Sequence, residues 1–84
     1  MDNESLVRMA NRIGDFFDAM PDRDEAVVGI ASHIRRFWEP RMRRQILEYL
    51  EMHGGQGLSE IVRLALCGHR SELEPPPAGR DRAA

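Results

Sequence analysis

The chain has 84 residues, one cysteine and a formal net charge of −2 at pH 7. This length allows one small domain, and a lone cysteine excludes an intrachain disulfide. The acidic N-terminus lacks a basic-then-apolar signal pattern, and no apolar run approaches the length of a membrane span. We therefore expect a soluble protein located in the cytoplasm.

Composition divides the chain into a helical domain, residues 1–70, and a tail, residues 71–84. The tail carries three consecutive prolines and almost nothing apolar to bury, which predicts disorder. A core built from about 70 residues is marginal alone and often needs a partner.

Apolar residues recur at helical spacing through the first 67 residues. They predict helix 1 over residues 4–19, helix 2 over 23–37, helix 3 over 41–53 and helix 4 from 58 or 59 to 67. Asp22 begins a capping-box pattern before helix 2, Pro40 separates helices 2 and 3, and Gly54 ends helix 3. The predicted fold is all-α, a small bundle of three to four short antiparallel helices with a disordered C-terminal tail. Cys67 is expected to be a small buried apolar residue.

Catalytic and metal-binding patterns are absent from the sequence. The serines lie in no nucleophile motif, and the three histidines are far apart without metal-ligand spacing. We therefore predict no catalytic and no metal-binding residues. His33 has two possible roles, as a partly buried, hydrogen-bonded residue or as a contact with a partner.

Residues 33–44 hold five arginines, the only tryptophan and a proline. The three arginines at the start of helix 3 oppose its dipole, a conflict that Glu39, acidic groups elsewhere in the fold or a negatively charged partner would relieve. Because Trp and Arg are common at interface hot spots, we predict a partner-binding surface with Phe37, Trp38 and Met42 as its anchor. A solvated surface and anion or nucleic-acid contact are the alternatives. The predicted partner-binding residues are His33, Arg35, Arg36, Phe37, Trp38, Pro40, Arg41, Met42, Arg43 and Arg44.

Three segments carry a family resemblance: Leu6-Val7-Arg8-Met9-Ala10-Asn11-Arg12-Ile13-Gly14-Asp15-Phe16-Phe17, His33-Ile34-Arg35-Arg36-Phe37-Trp38-Glu39-Pro40-Arg41-Met42-Arg43, and the turn Gly54-Gly55-Gln56-Gly57-Leu58. Together they resemble the delta subunit of NAD-dependent, molybdenum-containing formate dehydrogenase, over about residues 5–67. The string from Phe37 to Arg43 is the most specific part of the match.

The resemblance implies a non-catalytic accessory subunit of a soluble bacterial complex. Its partner would be the catalytic alpha subunit, with beta and gamma subunits in the same complex. The implied role is support of assembly, stability or cofactor loading. This chain would bind no cofactor, while the complex would hold bis-molybdopterin guanine dinucleotide, iron–sulfur clusters and FMN.

A small helical nucleic-acid-binding or regulatory protein is the alternative function. Helix–turn–helix proteins also use short helices and an arginine-rich element. Against this alternative, the chain is acidic overall, with a net charge of −2. We therefore favour the function of an accessory subunit over nucleic-acid binding.

Overall fold

A computed structural model describes residues 2–75 as five α-helices. They are α1 (Asn3–Asp18), α2 (Arg23–Phe37), α3 (Pro40–His53), α4 (Glu60–Gly68) and α5 (Arg70–Leu73). These residues contain no strand, so the predicted all-α class is confirmed. None of the helices within residues 2–75 has the length and apolar character needed to cross a membrane.

Side-chain caps and special backbone positions set the helix ends. The carboxylate of Asp2 accepts a hydrogen bond from the Ser5 backbone N–H (2.8 Å), and the Ser5 hydrogen bonds hold the pKa of Asp2 below its ordinary value. Asp22 accepts from the backbone N–H groups of Asp24 and Glu25, which confirms the predicted cap of α2. Gly54 ends α3 with φ 66°, a left-handed conformation that glycine adopts without a Cβ penalty.

The core lies where α1, α2 and α4 meet, with α3 and α5 packed at its edges. Its largest fully buried side chains are Leu6, Ile30, Ile34, Ile46, Val62, Leu66 and Leu73. The buried residues of α1 recur every fourth position, so one line along that helix faces the core.

Asn11 holds the loop between α3 and α4 against α1. Its side-chain amide donates to the Gly57 carbonyl (2.9 Å), and its side-chain oxygen accepts from the Ser59 backbone N–H (2.9 Å). The Tyr49 hydroxyl donates to the Gln56 carbonyl (2.6 Å) and fixes the other side of the loop. These bonds orient the start of α4 toward α1.

Gly14 sets the approach of α1 to α4. A Cβ at this position would lie 2.5 Å from Cγ2 of the buried, β-branched Val62, whereas a Cβ at Gly68 would meet nothing within 4 Å. We expect Gly14→Ala to lower the free energy of unfolding by about 1–3 kcal/mol, as overpacking of a core does. Gly68→Ala is the matched control and should leave stability unchanged or raise it. Chemical unfolding followed by circular dichroism compares them, and equal effects would contradict this account of the helix crossing.

Two details differ from the sequence predictions. Cys67 is exposed, because it lies outside the buried face of α4, which Ile61, Val62, Ala65 and Leu66 form. Residues 71–73, which fall in the predicted tail, belong to α5, and Leu73 is buried. Residues 76–84 of that predicted tail lie outside the described residues.

Candidate docking surface

The structure separates the ten predicted partner-binding residues into four environments. One side chain enters the core, one arginine binds α5, three residues near the end of α2 belong to or flank an aromatic surface, and the other five begin α3. Their exposure is as follows: His33, Met42 and Arg43 are half-buried, Trp38 is buried, and Arg35, Arg36, Phe37, Pro40, Arg41 and Arg44 are exposed.

Trp38 belongs to the core rather than to an exposed anchor. Its side chain is 6% exposed and lies in the buried cluster with Ile34. It occupies the C-cap of α2, where an extended backbone (φ −86°, ψ 136°) turns the chain back toward the domain. Because the chain itself covers the ring, its burial supports a role in the core, while contact of Trp38 with a partner stays a prediction. Met42 is likewise half-buried against the core.

Arg35 has an intramolecular role. Its Nε donates to the backbone carbonyl of Glu72 (3.1 Å), which ties the end of α2 to α5. A second arginine, Arg70, holds α5 from the other side through Glu51 on α3 (3.4 Å). Arg35 therefore stabilises the position of α5 as well as carrying charge at the surface.

The start of α3 is the most basic part of the chain. Its first turn holds Arg41 and Arg43 and no acidic residue, and Glu39 at the N-cap makes no side-chain cap. Within residues 2–75, neither Arg41 nor Arg43 pairs with a carboxylate, and the Nε of Arg43 is buried without a hydrogen-bond partner. The unfavourable arrangement predicted from sequence is thus present, without a local acid to relieve it.

Reversing a charge here should stabilise the free chain. Arg41→Glu replaces a cation that opposes the α3 dipole with an anion that favours it. We expect the free energy of unfolding to rise by about 1 kcal/mol at low salt, with a smaller gain at 1 M salt because screening shortens the interaction. Thermal unfolding at both salt concentrations measures this. A destabilised variant would show that Arg41 already has a favourable partner within the chain.

Four rings form a continuous aromatic surface between α1 and α2: Phe16, Phe17, His33 and Phe37. Phe16 and Phe17 meet edge to face at 5.1 Å between ring centroids, and His33 lies 6.2 Å from Phe17 and 4.7 Å from Phe37. The two end rings face solvent, with Phe16 75% and Phe37 65% exposed. This aromatic surface is an open apolar feature on an otherwise well-packed domain.

His33 lies inside the aromatic surface rather than in a hydrogen-bonded pocket. Its ring is half-buried between Phe17 and Phe37, and it forms no hydrogen bond within residues 2–75. Arg36 places its guanidinium carbon 5.7 Å from the centroid of Phe37, at the distance of a cation–π contact. The end of α2 therefore presents a cation beside an exposed ring.

The apolar character continues from the aromatic surface toward the α1–α2 turn. A cleft of about 310 Å³ is lined by Arg12, Ile13, Phe16, Phe17 and His33. Next to it, Met20 and Val28 line a shallow depression with Gly29 and the acids Asp24 and Glu25. A Cβ on Gly29 would lie 2.6 Å from the Phe17 ring, so the two depressions meet where that ring rests on α2.

Phe16 is a surface residue that the sequence analysis does not single out. Its position fits the apolar spacing of helix 1 as well as that of Phe17 does, and neighbours on a helix are rotated by only about 100°. Spacing within the helix therefore does not show which of the two rings is exposed, and the structure shows that Phe16 is.

The described residues show no arrangement suited to metal chemistry. In residues 2–75, no group of three or more His, Cys, Asp or Glu side chains converges closely enough to hold a metal ion. The whole sequence contains one cysteine, so it cannot supply the thiolates of an iron–sulfur cluster. The described residues do not fit a metal ion site, and the single cysteine does not fit an iron–sulfur cluster.

The fold and the site define a small all-α protein with an exposed aromatic surface beside a basic helix start. The chain belongs to the family of the NADH-dependent formate dehydrogenase delta subunit, FdsD, whose family model matches residues 5–66. This finding confirms the resemblance carried by the helix 1 segment, the run from His33 to Arg43 and the glycine turn. No curated protein and no solved structure matches the chain.

Proposed function

We propose that this chain is a non-catalytic accessory subunit of a soluble, cytoplasmic, NAD-dependent molybdenum formate dehydrogenase. It docks on the catalytic alpha subunit, in a complex that also contains beta and gamma subunits, and supports assembly, stability or cofactor loading. The observation that carries the proposal is the exposed aromatic surface with Arg36 beside it, on a chain of the delta subunit family.

The distribution of charge supports docking on an acidic partner surface. Residues 35–44 hold five arginines against one glutamate, a local charge of +4 within a chain of net charge −2. Arginines of this segment would complement carboxylates on the partner. Arg36 lies beside the exposed ring of Phe37, and such a pairing matches the composition of interface hot spots.

The cofactors of such a complex would belong to the larger subunits. We propose that bis-molybdopterin guanine dinucleotide, iron–sulfur clusters and FMN are all held outside this chain. One cysteine in the sequence and no converging ligand group in residues 2–75 support that assignment. The chain would then act through contacts with the catalytic subunit.

Copurification from the native host tests the proposal. A tagged chain is recovered at low and at high salt, and the eluate is quantified by mass spectrometry. We expect the catalytic alpha subunit in near-equal amount at both salt concentrations, because apolar contacts resist screening. Substoichiometric recovery, mainly with cofactor-free enzyme, would indicate a maturation factor in place of a permanent subunit.

The same experiment tests the alternative function. A nucleic-acid binder would recover nucleic acid, and its binding would fall steeply as salt rises, because each neutralised phosphate releases counterions. Nucleic acid without any oxidoreductase chain would contradict the proposed function. Nuclease treatment before elution is the control that separates direct contact from a shared nucleic-acid scaffold.

A further inference from the structure

We infer that the aromatic surface, rather than the basic start of α3, is where the partner binds, and that its occupant is an amphipathic helix of the catalytic chain with acidic side chains at one end. This inference rests on the proposed function and adds which face of the chain is used. It also names the chemistry of the segment that this face receives.

Exposed large apolar residues are concentrated on the α1–α2 pair. Residues 2–75 have six of them, and four lie on α1, α2 or the turn between these helices. The four are Phe16, Met20, Val28 and Phe37, while the other two, Met52 and Leu64, lie on α3 and α4. Scattered apolar residues are normal on a protein surface, but exposed rings linked by ring contacts beside a cleft, as Phe16 and Phe37 are here, are typical of an interaction site.

The centre of the aromatic surface is packed by the chain itself. Phe17 is half-buried and rests directly on Gly29, where even a Cβ would collide with its ring. Phe16 and His33 pack on the two sides of Phe17. A preformed aromatic platform loses little conformational entropy on binding, which favours affinity. Two neighbouring helices with apolar residues along their junction provide a groove in which a third helix can lie.

Charge gives the groove a direction. Arg36 lies over Phe37 at the C-terminal end of α2, away from the α1–α2 turn, and Arg12 lines the cleft with His33. At the turn end, Asp24 and Glu25 line the depression that holds Met20 and Val28. A helix that brings its acids to Arg12 and Arg36, and none to the turn end, is complementary, whereas the reversed helix meets like charges.

Binding of variants to the purified catalytic subunit tests this assignment. Phe16→Ser with Phe37→Ser removes the two most exposed rings of the surface. Met52→Ser with Leu64→Ser is the matched control, since it removes two exposed apolar side chains elsewhere. We expect the first pair to weaken binding by at least about 100-fold, as loss of two hot-spot rings does, and the control pair to change it less than about 3-fold.

The acidic character of the occupant is tested separately. Arg36→Glu should weaken binding by about 10-fold or more at low salt, while Arg63→Glu on α4 should have little effect. Because Arg36 is exposed, this variant keeps the test valid if the double phenylalanine variant does not fold. Circular dichroism confirms that each variant retains its helices before binding is measured.

The outcomes separate failure of the inference from failure of the proposed function. If the unmodified chain does not bind the catalytic subunit, the proposed function fails. The inference is overturned, and the function stands, if the chain binds and the Phe16→Ser, Phe37→Ser variant binds as tightly as the unmodified chain. The same holds if that variant binds as tightly as the control variant. The inference is also overturned if the isolated chain sediments as a dimer and the Phe16→Ser, Phe37→Ser variant sediments as a monomer. The occupant is then a second copy of the chain.

Discussion

Trp38→Ala should lower the free energy of unfolding by about 3–5 kcal/mol, the cost of truncating a buried aromatic side chain. The ring is 6% exposed and packs in the core cluster where α2 ends and the chain turns into α3. A small domain has only about 5–15 kcal/mol of stability in total, so this loss should leave much of the chain unfolded at 37 °C. Urea unfolding followed by circular dichroism measures the change.

Phe37→Ala is the matched control, because it truncates the neighbouring aromatic residue, which is exposed. It should change the free energy of unfolding by less than about 1 kcal/mol, as most surface substitutions do. Trp38 is the only tryptophan, so its fluorescence in the unmodified chain independently reports burial by a red shift on unfolding. A Trp38→Ala variant as stable as the unmodified chain but unable to bind would contradict this assignment and restore Trp38 as an interface anchor.

Leu73→Ala should lower the free energy of unfolding by about 2–5 kcal/mol, the range for leucine in a packed core. Leu73 is 1% exposed on α5, which contacts α2, α3 and α4. The helix has only four residues, so packing of this side chain, together with the bonds from Arg35 and Arg70, must hold it in place.

Ser71→Ala is the control for Leu73→Ala, since it changes an exposed residue of the same short helix. It should shift the unfolding midpoint little. Thermal unfolding of both variants distinguishes a docked α5 from a detached one. Equal midpoints for Leu73→Ala and Ser71→Ala would show that α5 contributes nothing to the core.

Helix boundaries were predictable from sequence because local chemistry determines them. The Asp22 carboxylate caps α2, Pro40 takes the first position of α3, and Gly54 adopts the left-handed conformation that ends α3. Each of these signals acts within a few residues and does not depend on the rest of the fold. Predicted and observed helix ends therefore differ by one or two residues at most.

Exposure was less predictable because it depends on contacts far apart in sequence. Arginines precede and follow Trp38 in the sequence, and these neighbours suggested an interface. The ring instead enters the core where the chain turns at the end of α2. Leu73 is an isolated leucine among polar residues, and only docking against α2 and α4 buries it. Periodicity within one helix cannot show which neighbouring helix covers its flank.

The α2 part of the aromatic surface was predictable from sequence, and the α1 part was not. His33, Arg36 and Phe37 were predicted to bind a partner because they lie in the arginine-rich run. Their neighbours on α1 are brought to them only by the α1–α2 packing, in which Phe17 rests on Gly29. A search of one continuous segment could therefore find α2's share of the surface but not that of α1.

Hydroxyl-radical footprinting of the chain, free and within the purified formate dehydrogenase complex, shows whether the aromatic surface is the docking surface. We expect Phe16, Met20 and Phe37 to be oxidised several-fold more slowly in the complex. Met52, which is 72% exposed on α3, should react at the same rate in both states. Protection of Met52 with unchanged oxidation of Phe16 and Phe37 would contradict the claim that the chain docks through its aromatic surface.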